Sequence, residues 1–291
     1  MNLLKVAAII LLSVLLLWGC GQKSEEKAEE TAPSAASAEG VKIAYTMVVS
    51  GMPMMGDLTF NYVITTDGKM GRMDSESVVT AGDQTRKSYL SYVTNIMDSV
   101  QIFMNTGTKT FSVVNFPNPA DVPPATETEM EISVEPTGKT ETHLGYECNE
   151  VELIVNLPAQ REGQTQNNGL SGTMCVSSDF PGYDVYKGFL DYISDVVKNR
   201  RLQGSGYLEF LNRFGLSKEN LEQLYAELGG FPLAGNVTVD WRGGTAEPLK
   251  LTSKITVTEI EAGPIDPEIF VVPEGYTEVD VRTVLRSGAG G

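Results

Sequence analysis

The sequence predicts an α+β protein built on an antiparallel sheet of about nine to eleven strands, with about three helices late in the chain. Apolar and polar residues alternate over much of residues 41–177, which is typical of strands buried on one face. Turn residues separate these segments at short intervals. After Tyr183 the apolar spacing changes to three and four residues, as in an amphipathic helix. Residues 41–285 are therefore expected to fold as one β-rich domain.

The first two predicted strands show the alternation most clearly, with apolar residues at every second position of 41–49 and 58–64. Thr66-Asp67-Gly68-Lys69 is typical of a tight hairpin turn, because Asp tolerates and Gly favours a positive φ. Pro136-Thr137-Gly138 is predicted to be a turn, and Arg161–Gly172 a polar loop. Further strands are predicted at Met70–Val79, Ser88–Ile96, Gln101–Met104, Lys109–Phe116, Met130–Glu135, Lys139–Leu144, Glu147–Leu157, Thr173–Ser177, Gly235–Trp241, Lys250–Glu261 and Ile269–Val272.

Three helices are predicted to pack on the sheet. The first spans residues 183–198 and carries its apolar residues on one side. A second, short helix is predicted at Tyr207–Phe214. A third is predicted around Leu221–Leu228, with Ser217 as its candidate N-cap and Gly229 just beyond its C-terminus.

The N-terminal apolar run ends in Leu17-Trp18-Gly19-Cys20, which is typical of a bacterial lipoprotein signal. Residues 6–17 match the usual length of a secretory apolar region and are too few to span a bilayer, which takes roughly 20 residues. We therefore predict that residues 1–19 are a signal peptide, that the chain is cleaved immediately before Cys20, and that the thiol of Cys20 is acylated. An uncleaved signal anchor is the other interpretation. Acyl chains on Cys20 would hold the protein on a membrane, and Gly21 favours the outer membrane, facing the periplasm, in a host with two membranes.

The remaining composition places limits on function. Residues 20–40 contain no large apolar residue and are predicted to be a disordered tether, and residues 286–291 a flexible tail. The formal net charge of −16 argues against a nucleic-acid partner. No cofactor is predicted.

Cys148 and Cys175 are the cysteines of the folded part, and a secreted location permits a disulfide between them. If the strands containing them pair as a long hairpin centred near Arg161, the two sulfur atoms would face each other. Two buried thiols are the second interpretation. Redox chemistry comes last, because Cys-x-x-Cys spacing is absent.

Residues able to carry catalysis are few. His143 is the single histidine and is interpreted as a strand-end residue, because a zinc site or a catalytic triad needs partners that the sequence does not supply. Asp191 and Asp195 are interpreted as a solvated helix face. Met52, Met54 and Met55 form a thioether cluster that could bind Cu(I), although methionines also fill irregular apolar gaps. We therefore expect a protein that is not an enzyme.

Two short motifs carry a resemblance. One runs from Gly138-Lys139-Thr140 into Leu144-Gly145-Tyr146-Glu147-Cys148, and the other from Pro267-Glu268-Ile269-Phe270 to Pro273-Glu274-Gly275-Tyr276. They resemble bacterial envelope lipoproteins that share a domain of unknown function, whose fold is related to the lipoprotein carriers LolA and LolB. The resemblance implies a strongly curved antiparallel half-barrel with helices on its open side. In carriers of that kind, the apolar concave face binds acyl chains.

The expected function is the binding of an apolar ligand, a lipid or an acyl chain, between the sheet and the helices. An envelope sensor or scaffold that binds a protein partner is the alternative, because the same apolar stripes would exist if sheet and helices packed shut. The residues expected near a ligand are Tyr45, Met47, Phe60, Tyr62 and Ile64 on the sheet and Phe189, Leu190 and Ile193 on the helix.

Overall fold

The structure is a computed structural model of the 291-residue chain. It describes residues 40–51, 56–81, 84–95, 97–115, 131–161, 164–200, 223–224, 226–241 and 249–287. Of residues 81, 84, 157–161, 164–168, 192–200, 241 and 286–287 it describes the backbone alone. The predicted signal peptide, Cys20, residues 21–39 of the predicted tether and the helix predicted at 207–214 lie outside the described residues.

Twelve strands of the described residues form one open sheet, in the order β12-β6-β5-β4-β3-β2-β1-β11-β10-β9-β8-β7. Neighbouring strands are antiparallel, except that β12 runs parallel to β6. The strands are β1 (Val41–Ser50), β2 (Leu58–Thr66), β3 (Met70–Ala81), β4 (Gln84–Asn95), β5 (Val100–Asn105), β6 (Thr110–Asn115), β7 (Glu131–His143), β8 (Tyr146–Arg161), β9 (Gln164–Ser177), β10 (Phe231–Trp241), β11 (Leu249–Ala262) and β12 (Thr277–Glu278).

The antiparallel, strand-rich fold predicted from the sequence is confirmed, but the predicted number of strands is wrong. The twelfth strand is the two-residue β12. Pro136 to Gly138 are part of a single strand, β7, whose pairing with β8 shifts register between Pro136 and Thr140. The predicted loop 161–172 is mostly strand, because β9 begins at Gln164 and pairs with β8 along its whole length.

The described helices are α1 (Tyr183–Arg200), a 3-10 helix (Pro267–Phe270) and α2 (Val281–Ser287). Residues 223–224 and 226–228 are also helical, and Gly229 follows with φ +67°, as predicted for the residue after a helix. The 3-10 helix replaces the strand predicted at Ile269–Val272. Helix α2 was not predicted, since residues up to 285 were assigned only to the domain and 286–291 to a tail.

The main core lies on one face of the sheet, here called the inner face. On β1, residues 41, 43, 45, 47 and 49 are all buried, while the residues between them are half-buried. β2 and β8 to β11 contribute buried apolar residues to the same core, and α1 covers it with Tyr186, Phe189 and Leu190. The apolar positions predicted from the sequence of β1 to face the core are therefore the positions that are buried in the structure.

A contact between distant strands shows that the sheet is strongly curved. His143, at the end of β7, donates a hydrogen bond from Nε2 to the carbonyl oxygen of Val257 in β11, at 2.6 Å. Three strands separate β7 from β11 in the sheet, so the two can meet only if the sheet bends back on itself. Pairing between β10 and β11 ends at Ala234 and Thr256, just before Val257. His143 thus has a structural role, in agreement with its interpretation as a strand-end residue.

The opposite, outer face carries a polar network across the central strands. Asn61 accepts a hydrogen bond from Thr46 (3.0 Å) and donates one to Glu76 (3.0 Å). Lys87 and Tyr89 donate to the other carboxylate oxygen of Glu76, at 2.8 and 2.9 Å. A face of this kind is solvated, which leaves the inner face as the place for an apolar ligand.

Candidate functional site

The sheet residues and the helix residues expected near a ligand do come together. Tyr45, Met47, Tyr62, Ile64, Phe189 and Leu190 belong to one core cluster, none is more than 6% exposed, and Phe60 is partly buried against them. The side chain of Ile193 lies outside the described residues. These side chains fill the space between β1, β2 and α1, so they form the packed interior.

A glycine allows helix α1 to approach the sheet this closely. Gly71 lies on the inner face of β3, and a Cβ atom at this position would overlap the Phe189 ring. Phe189 is completely buried. The absence of a side chain at Gly71 is therefore what lets the tip of the Phe189 ring approach the β3 backbone.

A second part of the inner face is only half-buried. It crosses β2, β3 and β4, where the register pairs Leu58 with Val79, Tyr62 with Ser75, and Ser75 with Leu90. We call it the inner strip. Its half-buried apolar members are Phe60, Met73, Val79, Leu90 and Tyr92.

The polar groups in the inner strip are hydrogen-bonded to one another. The hydroxyls of Ser77 and Ser88 lie 2.7 Å apart, and Ser75 donates to the carbonyl oxygen of Leu90 at 3.0 Å. Because these hydroxyls have partners within the sheet, they add little polarity to the surface. The strip can therefore contact hydrocarbon without leaving a polar group unsatisfied.

Aromatic rings connect the strip with the closed core. The rings of Tyr45 and Tyr62 stack with centroids 4.9 Å apart, and Phe60 continues the stack at 6.1 Å from Tyr62. Tyr92 meets Phe103 edge to face at 5.3 Å. Burial raises the pKa of the Tyr62 and Tyr92 phenols well above the ordinary value, so both stay neutral at physiological pH. The stretch of the inner face between these rings is thus aromatic and uncharged, and the exposed Arg86 lies beyond it as the register partner of Val79.

The inner strip was largely missed from the sequence, which identified only Phe60 among its apolar members. On β3 the inner positions are Met73, Ser75, Ser77 and Val79, so two serines interrupt the apolar alternation. The signal that could have found the strip is the pairing of β3 with β4, which places Leu90 and Tyr92 beside these positions.

The chain after β11, residues 263–287, forms what we call the C-terminal strap. Phe270 is buried on the outer face with Val93 and Met104, in a second core that is separate from the main one. Arg72 holds the strap by donating from Nη1 to the carbonyl oxygen of Ile269 at 2.7 Å, while its guanidinium also binds Asp74. The second sequence motif, Pro267 to Tyr276, therefore lies in the strap, which covers β3 to β6.

The two cysteines of the folded part are joined in a disulfide, with their Cα atoms 5.3 Å apart. In the β8–β9 register, Cys175 is the partner of Glu150, so Cys148 lies diagonally across from it. Nearby, Ser177 donates to the carbonyl oxygen of Glu147 at 2.7 Å. Both bonds connect β8 and β9 just before α1 begins.

Metal and acid-base candidates receive no support from the geometry. The described residues contain no group of three or more His, Cys, Asp and Glu side chains that could hold a metal ion. Met52, Met54 and Met55 lie outside the described residues. Asp191 accepts a hydrogen bond from Lys187 at 3.0 Å, one helical turn earlier, and the side chain of Asp195 is outside the described part.

In the described part of the chain, every helix is too short or too polar to cross a bilayer.

Comparison with known proteins shows that part of the chain is similar to a known family of domains. A family model described as "Domain of unknown function (DUF4412)" matches residues 51–191. The predicted similarity to a domain of unknown function is confirmed over that stretch, which includes the first sequence motif and not the second.

Among solved structures, the chain is similar to one described as "Crystal structure of putative outer membrane lipoprotein-sorting protein domain from Vibrio parahaemolyticus". The identity is 6%, the match covers 79% of this chain and 88% of that chain, and the TM-score is 0.30. No curated protein matches.

Proposed function

We propose that this protein is a bacterial envelope lipoprotein, anchored through acyl chains on Cys20, that is not an enzyme and binds an apolar ligand on its curved sheet. We infer the outer membrane, facing the periplasm, as its location, because Gly21 follows the acylated cysteine. The proposed anchor is supported by the apolar N-terminal run that ends in Leu17-Trp18-Gly19-Cys20. The ligand is a lipid or an acyl chain.

The half-buried inner strip is the observation that supports the proposed binding of an apolar ligand. The closed core between β1, β2 and α1 is already filled by its own side chains. The inner strip continues the same apolar face, and its hydroxyls are satisfied within the sheet. From Met73 to Val79 it is about 20 Å long at roughly 3.3 Å per residue, a length comparable with an extended acyl chain.

The anchor is tested by metabolic labelling. Radiolabelled palmitate is expected to enter the wild-type protein and to be absent from a Cys20→Ser variant. Label in the variant, or none in the wild type, would show that Cys20 is not the acylated residue.

The ligand is tested with two variants of neighbouring residues on β3. Val79→Glu places a carboxylate on the inner strip opposite Arg86, whereas Val78→Glu places the same group on the outer face opposite Lys87, so the two variants are matched in local charge. Protein extracted in mild detergent is expected to carry lipid detectable by mass spectrometry, and to bind a fluorescent palmitate analogue. Val79→Glu should lose both properties, and Val78→Glu should keep them. Circular dichroism establishes that both variants are folded.

An envelope sensor or scaffold that binds a protein partner is the second candidate. It is favoured by the closed packing of the residues expected to line a cavity, of which Tyr45, Met47 and Phe189 are at most 1% exposed. If the wild-type protein carries no lipid and does not bind the palmitate analogue, the proposed lipid binding is excluded, and the sensor or scaffold function is favoured.

A further inference from the structure

The two edges of the sheet differ in how they are covered. At one edge the strap adds β12 to β6, and Thr277 and Val279 donate backbone hydrogen bonds to Lys109 (2.9 Å) and Phe111 (2.8 Å). At the other edge, β7 pairs with β8 and with no further strand of the described residues. The outer edge of β7 therefore presents backbone N–H and C=O groups to which another strand can be added.

The first half of β7 is suited to receive a strand. Residues 131–136 pair with residues 156–151 of β8 in unbroken register. Ile132 and Val134 are half-buried against the main core, which fixes this segment to the body of the protein. Pro136 has no N–H, and the register shifts after it, so the useful segment ends there. We call residues 131–135 the β7 edge.

The surroundings of the β7 edge are strongly acidic. Residues 131–152 contain six glutamates and one lysine, a net charge of −5 with His143 neutral. Glu135 and Glu152 are register partners and both are exposed, and like charges directly opposite each other destabilise a sheet. The one lysine, Lys139, already binds Glu150 at 2.8 Å. The excess negative charge is therefore not neutralised by these residues.

We propose that the β7 edge binds an extended segment of a partner protein by strand addition, and that this segment carries Lys or Arg at alternate positions. Alternate side chains of an added strand lie on one face, where they would reach Glu131, Glu135 and Glu152. Main-chain hydrogen bonds would supply general affinity, and the carboxylates would select basic sequences. The inference holds whether or not the inner strip takes a ligand.

A second copy of the chain fits this edge poorly. Pairing two β7 edges would bring the carboxylates of Glu131 and Glu135 in one copy beside those of the other, in a protein with a net charge of −16. Like charges across an interface suppress wrong partners. Charge complementarity thus favours a basic segment over self-association.

The experiment measures binding of an eight-residue fluorescent peptide of alternating Lys and Thr by anisotropy, with a Glu and Thr peptide as control. The edge variant carries Glu135→Gln and Glu152→Gln. The matched control carries Glu268→Gln and Glu274→Gln, which remove the same charge from exposed positions of the strap. The edge variant should bind the basic peptide about tenfold more weakly, and the strap variant within about twofold of the wild type. Hydrogen exchange should show new protection at the amides of residues 131–135.

Three results would overturn the proposal. Equal weakening in both variants would mean that the peptide responds to overall charge alone. Binding without new protection at residues 131–135 would place the peptide elsewhere. Absence of binding would mean that the glutamates only keep copies of the chain from pairing. The amount of lipid recovered with the edge variant stays at the wild-type level in each case. A negative result for peptide binding is therefore distinguishable from a negative result for the proposed lipid binding.

Discussion

Replacement of Gly71 by Ala tests how helix α1 is seated on the sheet. The added methyl group would overlap the Phe189 ring, which is completely buried and has no free space to move into. Overpacking of this kind costs about 1–3 kcal/mol. The entropic gain of removing a glycine from a strand offsets about 0.5–1 kcal/mol of this cost. Because the overlap with the ring is deep, the cost lies towards the upper end of this range, and we expect Gly71→Ala to lower the free energy of unfolding by about 2 kcal/mol.

A matched control and a compensating change make this prediction specific. Gly188 lies on α1, is exposed, and has open space around its Cα, so Gly188→Ala should stabilise the protein by about 0.5–1 kcal/mol. Phe189→Leu should relieve the overlap, so that Gly71→Ala and Phe189→Leu together cost at least about 1 kcal/mol less than their sum.

Urea unfolding followed by circular dichroism measures these differences, and a change of 1 kcal/mol corresponds to a shift in Tm of about 2–4 °C for a domain of this size. The reasoning is refuted if Gly71→Ala is as stable as Gly188→Ala. It is also refuted if the effects of Gly71→Ala and Phe189→Leu simply add, since that would mean the two residues are not in contact.

Three further predictions concern the strap, the disulfide and the outer face. Phe270→Ala should cost about 3–5 kcal/mol and speed proteolytic cleavage within the strap, because Phe270 is buried in the second core; strap cleavage at the wild-type rate would contradict this. Peptide mapping without reductant should recover Cys148 linked to Cys175, and reduction should lower stability by roughly 3 kcal/mol, given a sequence separation of 27; free thiols in the oxidised protein would disprove the bond. Hydrogen bonds, the strongest of them from Lys87, lower the pKa of Glu76 to about 2. The ionised Glu76 therefore stabilises the folded protein fully above its ordinary pKa of 4.5, and this stabilisation is lost as the pH falls towards 2. Stability measured across this range should therefore depend less on pH in Glu76→Gln than in the wild type, and identical profiles would argue against the network.

The sequence predicted the parts of the fold that are set by local patterns. The apolar alternation of β1 and β2 and the helical spacing of α1 depend on which residues can be buried together, and this is visible in the chain itself. The turn at residues 66–69 was predictable for the same reason, since Gly68 has φ +85° and Asp67 accepts hydrogen bonds from two following amides.

The elements that were missed are set by distant partners. β7 continues through Pro136 because it lies at the edge of the sheet, where a residue without an N–H is tolerated. Residues 164–172 look like a loop in sequence, but β8 beside them supplies the pairing that makes them a strand. The 3-10 helix and α2 are short, and they form where Phe270 and Val284 are buried against the sheet.

The candidate site was predicted in part for a related reason. Hydrophobic alternation identifies side chains that will be buried, and Tyr45, Met47 and Ile64 are buried. It does not distinguish a residue that fills a core from one that lines a binding surface, because both are apolar and both face inward. The half-buried positions of β3 and β4 became visible only through the strand register.

The distribution of polar groups supports the division of the sheet into a ligand face and a partner edge. Across the inner strip, hydroxyls pair within the sheet and the phenols of Tyr62 and Tyr92 stay neutral, so a charged partner would gain little there except at the Val79 end, where Arg86 is exposed. Along the β7 edge the opposite holds, because Glu135 and Glu152 repel each other until a cation lies between them. An acyl chain and a basic peptide would therefore occupy different surfaces, and the Val79→Glu and Glu135→Gln variants should each impair one and spare the other.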